Sequence, residues 1–598
     1  MNTMVRNVAS AMACVVALAT CAAAPAIAAD VPVRTLRVGI PRVPETFDPA
    51  RASDMLTWYL IAGTYDTLYV LDPVARPAAI VPTAAAALPE ASADYRTFTI
   101  RVRPGIFFTP HPSFGGRPRE LTAADFAYAF KRVIDPKVRS PALYLVEGKI
   151  EGLDALAQRA KDAGIGIDYD APVPGLVVVD RQTLRIRLNA PDPIFPFLLT
   201  AAPFAGVARE VIAKEGEGYG QNPVGTGAFL VAHFVPGRRL VFAHNPDYRA
   251  MYWENLLTPA SLASTAVHPM RGKRLPAADR IEFSSTPEES AELLALRRRE
   301  LDLIYATAPE LLADHGKLKS ELAREGLRLV RDPAPVTFLT IFSMRDRVIG
   351  GDARDKVALR RALLMAFDDA EWTGVFDAGF STTRHQVVPP GIEGNIPGYR
   401  NPNGFDPATA NAILDRTGYR RGPDGYRRNP EGSALTVSWL IGTSSGARQE
   451  AEFTKRMLDR IGIRVAFVTA PGAERQKLQV TCHYGVSVMD WALDVPDGTN
   501  VMSAFWSKAI GSVNLSCFAD MEFDAAYEKA LVTPPGPART ELFRTMQTRL
   551  DTMAATRPRP SRENLLLKRG GVLGPFATIN DWLQVVTLGF ETRAESKR

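Results

Sequence analysis

The residues best suited to chemistry lie late in the chain, around Trp491 and Asp494. An apolar run that begins at Val488 leads into Trp491, and the carboxylate of Asp494 follows in a turn closed by Pro496 and Asp497. An indole offers a flat apolar wall, and a carboxylate pairs with a cation. The pattern predicts a site for a small amine-bearing molecule, with Asp494, Trp491 and Asp497 as candidate ligand contacts.

A second candidate is Ser444, in a Gly-Thr-Ser-Ser-Gly stretch between a predicted strand and a predicted helix. Some hydrolases mount a catalytic serine on such a turn, and the serine then needs a histidine and an acid. His483 is the only histidine after Ser444, and it lies next to Cys482 in a strand-like stretch. A serine hydrolase therefore stays an alternative, while we expect that the protein is not an enzyme.

The sequence gives little indication of a metal site or of nucleic-acid binding. The 7 histidines are spread singly, without the paired spacing of metal ligands and without a Cys–His cluster. The formal net charge of +6 is small for 598 residues, and Lys and Arg never form a long run. We expect no metal, no cofactor and no nucleic-acid partner.

The N-terminus has the features of a secretory signal peptide. Arg6 precedes a short apolar stretch at residues 12–19, and small residues offer a cleavage site before Asp30. The alternative is a lipoprotein signal that would leave Cys21 lipidated, but Thr20 is unfavourable before that cysteine. We therefore expect release into the periplasm, and no later stretch is long enough for a transmembrane helix.

The chain outside the signal peptide has two cysteines, Cys482 and Cys517. Two cysteines in an oxidising compartment favour a disulfide. The bridge would enclose Trp491 and Asp494 in its loop. It either anchors the predicted site or tethers two strands away from the ligand, and both interpretations stay open.

The remaining chain alternates predicted strands and helices. Residues 98–102 and 184–188 alternate apolar and polar side chains, as strands do, and residues 122–133 carry apolar side chains at helical spacing. Thr122 is the expected N-cap, with Asp125 at the third helical position. Such alternation predicts an α/β protein, and the length predicts about two to four domains.

Several stretches, taken in order, resemble bacterial extracellular solute-binding protein family 5, the dipeptide- and oligopeptide-binding proteins of ABC importers. The resemblance covers about residues 35 to 585, and it is most specific in the pair Pro223–Gly227 and Asn245–Tyr248. The other matching stretches are Leu36–Ile40, Thr46–Pro49, Tyr65–Leu68, Phe98–Gly105, Leu121–Asp125, Ala358–Asp368 and Trp491–Asp497.

The resemblance implies a fold like that of type II periplasmic binding proteins of cluster C. This fold is an α/β clamshell of two lobes, with an extra domain inserted in the first lobe and the ligand enclosed between the lobes. The boundaries that we expect are a signal peptide at 1–29, lobe I at 30–75, 200–308 and 556–598, the inserted domain at 76–199, and lobe II at 309–555.

The resemblance also implies a function. A periplasmic receptor, expected to be a monomer, would capture a peptide or another amine-bearing solute and deliver it to a membrane permease driven by an ATPase. Asp494 would pair with the α-ammonium of the ligand, and the loop of Ser444 would lie near the cleft. Val495 replaces the usual aromatic residue, so oligosaccharide, haem or a metal complex stay open as ligands, as does an orphan receptor for sensing or chaperoning.

Overall fold

The computed structural model describes residues 34–265, 268–286, 288–306, 308–332, 336–576 and 584–591. The predicted signal peptide, including Cys21, lies outside the described residues.

Lobe I is built on a mixed sheet of seven strands. Its central strand, Thr35–Gly39, runs parallel to both neighbours, and the outer strands pair antiparallel. The strands follow one another across the sheet as Leu327–Asp332, Asn564–Arg569, Leu303–Ala306, Thr35–Gly39, Arg280–Ser284, Arg239–His244 and Phe229–Val235. Its helices are Met55–Ile61, Arg209–Glu215, Pro259–Ser264, Glu289–Arg297, Pro309–Leu312 and Ser320–Arg324.

Lobe II is built on a separate sheet of five strands with its own buried apolar clusters. Across this sheet the strands are Arg464–Thr469, Thr436–Ile441, Val486–Ala492, Val336–Phe342 and Thr556–Pro558. The helices are Arg354–Met365, Asp369–Phe376, Pro407–Arg416, Ser445–Asp459, Gly472–Val480, Gly498–Met502, Met521–Val532 and Pro537–Thr552.

The inserted domain has a four-stranded antiparallel sheet, with strands in the order Glu90–Ala91, Thr97–Arg101, Thr183–Arg187 and Leu176–Asp180. The sheet packs on the helix Ala123–Ile134, where the carboxylate of Asp125 accepts from the backbone N–H of Thr122 at 2.7 Å. The predicted cap and both predicted strands are therefore confirmed. The other helices are Leu153–Ala163 and Phe195–Leu198.

Five two-stranded ladders complete the described strands. They pair Tyr69–Leu71 with Ile80–Pro82, Met251–Tyr252 with Arg274–Leu275, Ala313–Asp314 with Lys317–Leu318, Ser381–Thr382 with Ser561–Arg562, and Val572–Leu573 with Gly589–Phe590. The mixture of sheets and helices confirms the predicted α/β class.

The chain passes between the two large sheets twice, and both passages correct the predicted boundaries of lobe II. Leu327–Asp332, expected in lobe II, pairs with Asn564–Arg569 in the sheet of lobe I. Thr556–Pro558, expected in lobe I, pairs with residues 339–341 in the sheet of lobe II. Backbone pairing decides membership of a sheet, and helix–strand alternation along the sequence carries no information on that pairing.

The predicted disulfide between Cys482 and Cys517 is confirmed, with Cα atoms 6.2 Å apart. It joins the turn after the helix Gly472–Val480 to the loop before Met521–Val532. Ser343 donates its hydroxyl to the carbonyl of Cys482 at 2.7 Å, which ties the bridge to the end of a central strand.

Loss of this bridge should destabilise the protein, because it closes a loop with a sequence separation of 35 residues. A Cys482→Ser/Cys517→Ser double variant should lose about 3–4 kcal/mol of unfolding free energy, since the unfolded chain regains loop entropy. Urea unfolding of both proteins, with reduced wild type as a control, measures the loss. Two reactive thiols in the native, unreduced protein would contradict the pairing.

Candidate functional site

Asp494 lies where lobe II meets lobe I. It follows the strand Val486–Ala492 and lines a cavity of about 180 Å³ whose other walls belong to lobe I and the segments next to it. We call this space the Asp494 cavity. Its apolar and aromatic walls include Met55, Trp58, Tyr59, Tyr65, Tyr248, Met251, Leu256, Leu275 and Val585.

The carboxylate of Asp494 has a neutral polar neighbour. The hydroxyl of Tyr144, from the inserted domain, interacts with it. Among the described residues, no Lys or Arg forms an ion pair with Asp494. Burial raises the pKa of Asp494 above its ordinary value, and the Tyr144 hydroxyl offsets part of that rise. The site therefore holds a partly buried acid without a basic partner among the described residues.

Trp491 is a support for the Asp494 turn and is not part of its cavity. Side chains alternate along a strand, so Met489 and Trp491 pack toward the core of lobe II while Asp490 faces the other way. The indole Nε1 of Trp491 donates to Oδ1 of Asn500 at 2.6 Å. This bond ties the end of the strand to the helix Gly498–Met502, across the turn that carries Asp494.

Asp497 was predicted to contact the ligand, and its surroundings correct that prediction. Its side chain has no exposed surface, and it forms two hydrogen bonds to the guanidinium of Arg539, including Nη2 to Oδ1 at 2.9 Å. It also accepts from the N–H of Thr499 at 2.9 Å, as the N-cap of a short helix. Its oxygens are occupied by protein donors, so its role here is structural.

Ser444 lies in a second, larger cavity of about 1120 Å³ that both lobes line. Glu310 and His315 line it from the lobe I side, and Trp372 and Asp490 line it from lobe II. The Ser444 hydroxyl accepts from the N–H of Ala447 at 3.1 Å, so it caps the helix Ser445–Asp459. His483 does not line this cavity.

The described residues contain no group of three or more His, Cys, Asp or Glu side chains arranged to hold a metal ion. Within the same residues, no helix combines the length and apolar character needed to cross a membrane. The disulfide closes the loop that carries Trp491 and Asp494, but its role in anchoring the site stays a prediction.

The chain matches a known protein family over most of its length. The family "Bacterial extracellular solute-binding proteins, family 5 Middle" matches residues 79–512, which is most of the length. The chain belongs to this family, and the resemblance drawn from its motifs is confirmed.

Known relatives and solved structures agree with this assignment. Di/tripeptide-binding protein 2 of Pseudomonas aeruginosa is 25% identical over 535 residues, covering 86% of this chain and 87% of the relative. HbpA2 from Haemophilus parasuis superposes with a TM-score of 0.74 at 18% identity, over 94% of this chain and 100% of that one. DppA from Helicobacter pylori, solved with the peptide STSA, gives a TM-score of 0.65 at 18% identity, over 94% and 98%. The two-lobed fold is therefore confirmed.

Sequence reasoning missed Tyr144 and the aromatic wall of the Asp494 cavity. Tyr144 is separated from Asp494 by most of the chain, and no local pattern marks it. Trp58 and Tyr59 offered a weak signal. Adjacent residues on a helix lie on different faces, so a short helix with a single buried face does not need two aromatic residues in a row.

The buried pair of Asp497 and Arg539 yields a stability prediction. Arg539→Met leaves an unpaired buried carboxylate and should cost about 3–5 kcal/mol of unfolding free energy. The double variant Asp497→Leu/Arg539→Met removes both charges, so its loss should be smaller and dominated by the missing helix cap, about 1 kcal/mol. Urea unfolding measures both, and a double variant less stable than the single one would contradict this assignment.

Proposed function

We propose that this protein is a periplasmic receptor that captures a short peptide, or another amine-bearing solute, and delivers it to the permease and ATPase of an ABC importer. The carrying observation is Asp494, a partly buried acid between the lobes with no basic partner among the described residues. The proposal describes binding and release without chemical change to the solute.

An ammonium group is the ligand chemistry that fits Asp494 best. A carboxylate in a desolvated site gains most from a partner that brings a positive charge and several N–H donors. The hydroxyl of Tyr144 beside it is neutral, which leaves the charge of Asp494 uncompensated. An α-ammonium would supply both the charge and the remaining donors.

The residues that line the Asp494 cavity restrict the proposed class of solute further. Trp58, Tyr248 and Leu275 surround a space of about 180 Å³ beside the carboxylate. Apolar walls with one or two polar groups are typical of sites that recognise an apolar group by its shape and an attached polar group by its charge. We therefore favour peptides whose first residue has an apolar or aromatic side chain.

We infer that the remainder of such a solute lies in the larger cavity. Ser444 and Asp490 line it, and Asp490 lies on the strand that ends just before Asp494. Ser444 stays a candidate contact in that space. The names of the relatives support the choice of solute, since the Pseudomonas protein is called a di/tripeptide-binding protein and the Helicobacter protein was solved with a peptide.

Removal of the charge of Asp494 should weaken capture of the solute. Asp494→Asn should cost about 2–4 kcal/mol of binding free energy, because the ammonium would be desolvated without a counter-charge. Isothermal titration with dipeptides and tripeptides that begin with Leu or Phe measures the loss. N-acetylated versions of the same peptides should bind the wild type as weakly as free peptides bind the variant.

Asp180→Asn is the matched control, since Asp180 is an exposed aspartate in the inserted domain. It should leave the affinity unchanged. Equal affinity of the wild type for free and acetylated peptides would remove Asp494 from this role, even if the protein proved to bind other solutes.

The raised pKa of Asp494 gives a pH prediction with opposite signs for affinity and stability. The folded protein takes up the proton of this acid at a higher pH than the unfolded chain, so the ionised form lowers unfolding free energy at neutral pH. Asp494→Asn should therefore unfold at a temperature equal to or above that of the wild type without ligand. Peptide affinity should fall on acidification at a higher pH than for an exposed aspartate.

Calorimetric melting and titration across the acid range test both signs. A variant that melts well below the wild type at neutral pH, with its pH profile unaltered, would contradict the proposed burial of an unpaired charge.

A further inference from the structure

Arg384 is a buried arginine that forms no ion pair with any of the described residues. Only 6% of its surface is exposed, and its Nε lacks a hydrogen-bond acceptor. No carboxylate among the described residues lies within ion-pair distance of its guanidinium. Burial lowers the pKa of this side chain, with a nearby carboxylate, Glu563, acting in the opposite direction.

Glu563 is already committed to other groups. Its two oxygens accept from Nε and Nη2 of Arg331 at 2.6 and 3.0 Å, and one of them also accepts from the hydroxyl of Thr382. Arg384 therefore feels the charge of Glu563 without forming a direct bond to it. A buried cation in this state is costly unless an anion joins it.

A small cavity of about 220 Å³ opens beside Arg384 on lobe II. His385 and Arg400 line it too, and none of its lining residues is an Asp or Glu. Arg400 is exposed and has no ion-pair partner among the described residues. Two arginines that lack carboxylates thus face one concave space, whose residues are distinct from those of the Asp494 cavity.

His385 adds a defined donor to this group. Nη1 of Arg400 lies 2.6 Å from Nε2 of His385. A guanidinium can only donate, so Nε2 must accept and the proton of the neutral imidazole must lie on Nδ1. Burial and the charge of Arg400 lower the pKa of His385, which favours this neutral form. The ring therefore accepts from Arg400 through Nε2 and can donate a hydrogen bond through Nδ1.

We propose that Arg384, Arg400 and His385 form a binding site for a small oxyanion, of the class of inorganic phosphate or a short carboxylate. Arginine presents a planar set of donors that matches two oxygens of such an anion at once. Arg384 and His385 also line a second cavity, which contains Asp368 and Asp369, whose charges would repel an anion. The carboxylate-free cavity is therefore the proposed site, and it is independent of peptide capture at Asp494.

Titration of the full-length secreted protein with inorganic phosphate tests the site. The protein is first exchanged into a phosphate-free and sulfate-free buffer, and ionic strength is held constant with sodium chloride so that general screening does not change. We expect saturable binding of one phosphate per chain. Arg384→Gln should weaken it at least tenfold, and Arg400→Gln should weaken it several-fold.

Arg416→Gln is the matched control, because Arg416 is an exposed arginine on a helix of the same lobe. It should bind phosphate as the wild type does. Arg400→Gln changes an exposed side chain, so it carries the test if circular dichroism shows that Arg384→Gln is misfolded. A parallel titration with acetate assigns the anion to the phosphate or the carboxylate class.

Absence of saturable binding of either anion to the wild type would overturn the proposal. Unchanged affinity in the folded Arg384 and Arg400 variants would do so as well, as would a crystal structure in which Arg384 pairs directly with Glu563.

Discussion

A partly buried carboxylate without a basic partner among the described residues is the constraint on which the ligand site depends. Asp494 is in this state because the end of its strand brings it to the aromatic wall of lobe I, with the neutral hydroxyl of Tyr144 from the inserted domain nearby. Ionisation there costs free energy that the rest of the fold must supply. A nearby buried ion pair, a disulfide and the bond from Trp491 to Asn500 all stabilise the surrounding segment.

The contrast between Asp494 and Asp497 shows how a carboxylate available to a ligand differs from one with a structural role. Both acids belong to one turn, yet Asp497 is enclosed by Arg539 and a helix N-terminus, while Asp494 faces a cavity. A carboxylate whose lone pairs are filled by fixed donors has little to offer a ligand. A carboxylate with one neutral donor nearby retains both its charge and its unfilled lone pairs. Its capacity to bind a ligand therefore comes from the hydrogen-bonding capacity that the protein leaves unused.

Local patterns predicted the local parts of this structure and missed the long-range ones. The Thr122 cap, the alternating strands and the α/β class follow from residues close in sequence, and the family motifs extended this to the two lobes. The partner of Asp497 lies 42 residues away, and strand membership at the lobe boundary depends on pairing across more than 200 residues. Neither contact can be recognised from the spacing of residues in the sequence. For that reason the predictions of a ligand-binding role for Asp497 and of the boundaries of lobe II were wrong.

On the proposed function, the position of Tyr144 beside Asp494 links ligand capture to the inserted domain. A ligand can shift a conformational balance only by as much as its affinity differs between the two states. An ammonium brings a positive charge to Asp494, where Tyr144 offers only a neutral hydroxyl, so the difference in affinity is large for amines and small for neutral solutes. Selectivity and closure would then share one cause, because a solute without the charge could fill the apolar cavity and still leave the charge of Asp494 unpaired.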